Sequence, residues 1–116
     1  MSQIIYKIVP EALWREAERN DSFPGAPIDL ADGFIHFSTA GQARETAAKH
    51  FAGQTGLLLI AIDASRLGEA LRYEVSRGGA LFPHLYSPLD IKAVVWVRPL
   101  PLGADGLHEF PALEGE

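Results

Sequence analysis

Three polar residues interrupt apolar, strand-like segments of this 116-residue chain. They are His36 in Gly33-Phe34-Ile35-His36-Phe37-Ser38-Thr39, Glu74 in Leu71-Arg72-Tyr73-Glu74-Val75, and His84 in Phe82-Pro83-His84-Leu85-Tyr86. Alternation along an extended chain puts His36 on one face with Phe34 and Ser38, opposite Ile35 and Phe37. Thr39 followed by Gln42 matches a capping box, so His36, Ser38 and Thr39 stand at a helix N-terminus, where free N–H groups attract a phosphate or another anion. Phe82, His84 and Tyr86 share a face and form an aromatic groove with one titratable tip. A histidine and a carboxylate of this kind suit a sugar or nucleotide: the acid orients or ionises a hydroxyl, and the imidazole fixes a ribose or a phosphate. Each residue also has a plainer alternative. His36 could be a strand-end histidine satisfied by backbone, the aromatics of 82–86 could cap the core, and Glu74 could be a solvated outward carboxylate.

As types, His36, Glu74 and His84 are also a two-histidine, one-carboxylate ligand set. No two of them stand at the close spacing of ligand pairs, and no metal is expected. The routine catalytic signatures do not occur: there is no Gly-x-Ser-x-Gly, no phosphate loop ending in Gly-Lys-Ser/Thr, no Gly-x-Gly-x-x-Gly and no His-Glu-x-x-His.

The elements that must position these residues follow from the periodicity. Residues 4–9 are β-branched and aromatic and predict a strand, with Pro10 opening a helix over 10–19 that buries Leu13, Trp14 and Ala17. Residues 20–33 carry prolines, glycines and aspartates without a period and predict a long loop. The strand holding His36 then feeds a second helix, with Ala40, Ala43, Ala47 and Phe51 as its buried stripe and an end near Gly53. Residues 57–63 do not alternate and predict a central strand buried on both faces. In 71–75, alternation sets Leu71, Tyr73 and Val75 against Arg72 and Glu74, and Pro83 confines the strand over 81–86 to a sheet edge. A last strand over 91–97 precedes an irregular tail. Two helices and five or six strands, with strands dominating late, predict an α+β fold.

Composition narrows the function classes. Ten basic against fifteen acidic residues give a net charge of -5, which argues against bulk binding to a nucleic-acid backbone. The chain has no cysteine, so disulfides, thiolate metal sites and cysteine nucleophiles are excluded together, in keeping with a reducing cytosol. No signal peptide and no apolar run of membrane-spanning length is present, and the expectation is one soluble cytoplasmic domain over 1–116.

Several blocks carry a family resemblance. They are Ile5-Tyr6-Lys7-Ile8 with Trp14, residues 33–40 with Gln42, residues 57–63, Tyr73-Glu74, and residues 82–86 with Pro88-Leu89. Together they resemble the small bacterial proteins grouped as domain of unknown function 952, over nearly the whole chain. The resemblance implies an ADP-ribosyltransferase-like fold of split antiparallel β-sheets with two main helices and a nucleotide-type cleft. It implies no required cofactor, and NAD or ADP-ribose as a ligand that is bound and then transferred or hydrolysed. His36 would hold ribose or phosphate together with Ser38 and Thr39, Glu74 would engage a hydroxyl, and His84 with Tyr86 would line the base or nicotinamide pocket. The alternative from another class is a non-catalytic binding or interaction module on the same fold.

Overall fold

The computed structural model describes residues 3–115. Its centre is β5 (Leu57–Asp63), flanked by β1 (Ile4–Pro10) and β9 (Val94–Pro99), with β4 (Ser38–Thr39) beyond β1. All pairings in this four-stranded sheet are antiparallel. The apolar run of β5 lacks alternation because both of its faces are covered. Leu58, Ile60 and Ile62 face one core with Trp14 and Ala17 of α1 (Glu11–Asn20), and Leu59 and Ala61 face another. That second core lies under α3 (Ala40–His50), whose Ala40, Ala43 and Ala47 allow a close approach to the sheet.

A second, three-stranded antiparallel sheet carries the residues of interest, in the order β3 (Ile35–His36), β7 (Leu81–Leu85), β6 (Leu71–Val75). Its back, with Ile35 and Leu85, closes the first core, and β2 (Ser22–Phe23) with β8 (Leu89–Asp90) add Phe23 and Leu89 to it. The architecture is α+β with split antiparallel sheets. No helix among the described residues is long and apolar enough to cross a membrane.

Three expectations need correction. Among the described residues there are three α-helices rather than two, because α2 (Pro27–Asp32) occupies the middle of the expected loop. Pro27 starts it, where a missing N–H costs nothing, and Gly33 ends it at φ 86°, a conformation that glycine adopts freely. The strand with Pro83 is central, not an edge. Residue 83 faces Phe37, whose N–H donates to the Pro83 carbonyl at 3.0 Å, and the return bond that proline cannot make falls in the gap between β3 and β4. Residues 91–93 form a 3-10 turn, and the last strand begins only at Val94.

Candidate functional site

Register builds the site. His36 of β3 is paired with His84 of β7, which is paired with Arg72 of β6, so the three stand in one row across one face. Side chains two residues away share that face. Phe34 and Tyr86 therefore lie on one side of the row and Phe82 and Glu74 on the other. The Phe34 ring stacks on His84 with centroids 4.1 Å apart and also meets His36 and Tyr86. The two imidazoles meet edge to face at 5.5 Å.

Glu74 reaches diagonally across the strands. Its Oε1 accepts from the Tyr86 hydroxyl at 2.6 Å and from His84 Nδ1 at 2.9 Å. The Tyr86 hydrogen bond, more than the His84 one, holds the Glu74 carboxyl below the usual carboxylate range, and the same bond pushes the Tyr86 phenol up. An ionised carboxylate can only accept, so Nδ1 of His84 carries a proton, and in the neutral ring Nε2 is the acceptor. No described residue pairs with that Nε2.

His36 is held by carboxylates on both sides. Asp29 Oδ1 lies 2.6 Å from its Nδ1 and Asp32 Oδ2 lies 3.0 Å from its Nε2. Both nitrogens can donate at once only in the imidazolium form. Asp29 is the anchor. Its side chain is 1% exposed, and it accepts from the backbone N–H of Ala26 at 2.7 Å and of His36 at 3.1 Å. It also pairs with buried Lys7 at 3.0 Å. Burial raises the Asp29 carboxyl, but the His36 bond, the Lys7 charge and the two backbone donors outweigh it and hold the group at about 2. Burial lowers Lys7, with the Asp29 charge and hydrogen bond acting against that.

In front of the two histidines is a cleft of about 590 Å³. Ile28 and Asp32 of α2, His36, Ser38 and His84 of the strands, and Thr46 and His50 of α3 line it. The Thr46 hydroxyl donates to the Gln42 carbonyl at 3.1 Å, so Ser38 Oγ, 2.8 Å away, is the donor between the two hydroxyls.

The structure thus brings His36, Glu74, His84 and Tyr86 into one cluster and places His36, Ser38 and His84 on the cleft wall. Glu74 and Tyr86 stand behind His84. Thr39 caps α3, and its N–H is already taken by Gln42 Oε1 at 3.0 Å. Sequence reasoning missed Asp29, Asp32 and Lys7. The available signal was Pro27 and Gly33 bracketing six residues with an acid in the first turn. Among the described residues, no group of three His, Cys, Asp or Glu side chains is disposed to hold a metal ion.

No curated protein matches the chain. Solved structures do. The crystal structure of protein CC0527 from Caulobacter crescentus is 52% identical over 91% of this chain and 93% of its own, with a TM-score of 0.88. The solution NMR structure of CC0527 gives 53% identity over 90% of each chain and a TM-score of 0.81. The family model for protein of unknown function DUF952 matches residues 8–97, a span that holds β1 from Ile8 onward, all three helices and every residue of the His36–Asp29–Asp32 and His84–Glu74–Tyr86 clusters. The chain belongs to the DUF952 family.

Proposed function

We propose that the cleft binds a small molecule of the nucleotide type, NAD or ADP-ribose, and that His84 acts there as a general base toward a hydroxyl of the ribose. One observation carries this reading: Glu74 holds Nδ1 of His84 at 2.9 Å, and no described residue pairs with its Nε2. A carboxylate in that place fixes the tautomer and the orientation of the ring and stabilises the imidazolium formed when Nε2 takes a proton. Glu74 is then a positioning residue, since its Oε1 already serves His84 and Tyr86. His36 offers the contact for a phosphate, and Phe34 stiffens the wall by stacking on His84. The ADP-ribosyltransferase-like fold that the family resemblance implies is a fold-level analogy that favours the same ligand class. The cysteine-free composition fits action in the cytoplasm. A second reading, a non-catalytic binding or interaction module, draws on the saturation of Glu74 Oε1, which leaves His84 as the reactive group without a second acid aimed at the ligand.

Calorimetric titration with NAD and ADP-ribose, followed by product analysis after long incubation, tests this. Wild type is expected to bind, and His36→Ala to bind roughly 10- to 100-fold more weakly, as for a lost hydrogen bond to a charged group. His84→Ala should lose turnover with affinity changed only a few-fold. Glu74→Gln should lower turnover and displace the pH–rate profile. Binding without product by wild type supports the module. Absence of binding by wild type at millimolar ligand removes the nucleotide reading.

A further inference from the structure

We infer that the Asp32 carboxylate holds the seat of a ligand anion at His36 Nε2, and that a phosphate-type group enters the cleft by displacing it. The idea deepens the nucleotide reading of this cleft and rests on it for the identity of the larger ligand. The two carboxylates on His36 are unlike. Asp29 is 1% exposed and fixed by three further donors, whereas the Asp32 side chain is 44% exposed and has no partner but His36 among the described residues. Asp32 is also the last residue of α2, the helix end where backbone carbonyls make an anion unwelcome. What keeps it there is a single contact of 3.0 Å to Nε2, on the cleft wall. A ring nitrogen with an oxygen at that distance is in hydrogen-bond geometry, which a phosphate oxygen can take in place of the carboxylate.

The surrounding charges give the displacement its direction. Lys7 of β1 faces Asp29 and offsets it, His84 of β7 meets the edge of His36, and Asp29 and Asp32 come from α2. With Asp32 turned away, Nδ1 of His36 keeps its Asp29 anchor and Nε2 faces the cleft. Asp32 competes as an intramolecular carboxylate, at the high effective concentration that tethering confers. A free carboxylate of equal charge cannot dislodge it, but a phosphate dianion makes the stronger pair. The seat therefore selects phosphate or pyrophosphate over carboxylate.

The test follows the imidazole nitrogens of His36 by 15N NMR in the full chain, titrated with inorganic phosphate, acetate and ADP-ribose. In wild type, phosphate should move the Nε2 resonance and acetate should not. Asp32→Ala should bind phosphate roughly tenfold more tightly, as expected for removing a like charge at contact distance, and should admit acetate. Asp32→Asn, which keeps an acceptor without the charge, should fall between. Phosphate bound no more tightly by Asp32→Ala, or no response of His36 in either protein, overturns the inference. ADP-ribose bound equally by wild type and Asp32→Ala overturns the seat and leaves the nucleotide reading standing. Phosphate behaving as expected while ADP-ribose fails does the reverse.

Discussion

His36 and His84 are the same residue type on the same sheet face, yet their partners give them opposite roles. His36 is clasped by Asp29 and Asp32 and serves as a donor, while His84 gives Nδ1 to Glu74 and keeps an acceptor. Asp29 is the residue whose loss should cost most. Asp29→Asn leaves the buried Lys7 ammonium without its counter-charge, a change expected to cost about 3 to 5 kcal/mol in chemical denaturation. A loss below about 1 kcal/mol would mean that the buried pair does not hold α2 in place. The same carboxyl predicts acid sensitivity. Its pKa is lowered from 3.8 to about 2 in the folded chain, so the unfolded chain binds the proton more readily. The stability from Asp29, about 2 kcal/mol, is complete above about pH 4 and is lost as pH falls toward 2. Comparison of wild type with Asp29→Asn between pH 5 and 2 isolates it, since the variant should lack that part of the slope. The two histidines and Glu74 were legible because each interrupts an apolar strand. Asp29 was not, because one aspartate among prolines and glycines looks like any turn residue.

At the level of elements, α2 is the hinge of the account. Six residues are too few for a helical period to show, and what fixes them is the pair of brackets around them, Gly25 and Gly33. Gly25 has φ 123°, and a Cβ there would lie 2.9 Å from the Asp29 Cβ. Gly25→Ala should therefore destabilise the chain by roughly 2 kcal/mol or more and loosen Asp29 from His36, seen as amide exchange in α2 faster than in α3. Uniform exchange across both helices would contradict it. Strands were read better than faces. Residues 57–63 announced a doubly covered strand, and the structure places them at the centre of the larger sheet. For 71–75 the two faces are as read but their cover is uneven: β6 is an edge strand, Leu71 packs on the first core, and Val75 of the same face is 70% exposed. Alternation identifies two faces but does not say which one the rest of the chain covers. Pro83 misled for a related reason, since the statistical rule concerns the missing N–H and here that N–H would have faced a break in the neighbouring strand.

Across the whole molecule, the larger sheet supplies rigidity and the smaller one supplies chemistry. The four-stranded sheet is covered on both faces by separate cores, so β1 can present Lys7 at a fixed place against α2. The three-stranded sheet packs its back on one of those cores and puts His84 and His36 of its front row on the cleft wall. The α+β class was legible in the order of the segments, whereas the cleft depends on contacts between residues 7, 29, 36 and 84, which no local pattern encodes. The central claim is that His84 meets the ligand through Nε2 while Glu74 holds Nδ1. Long-range 1H–15N NMR of the imidazoles during titration with ADP-ribose addresses it most directly. Nδ1 of His84 should stay protonated and unchanged while Nε2 shows a saturable shift. A His84 spectrum unaffected at millimolar ADP-ribose, or a response at Nδ1 instead, would contradict it.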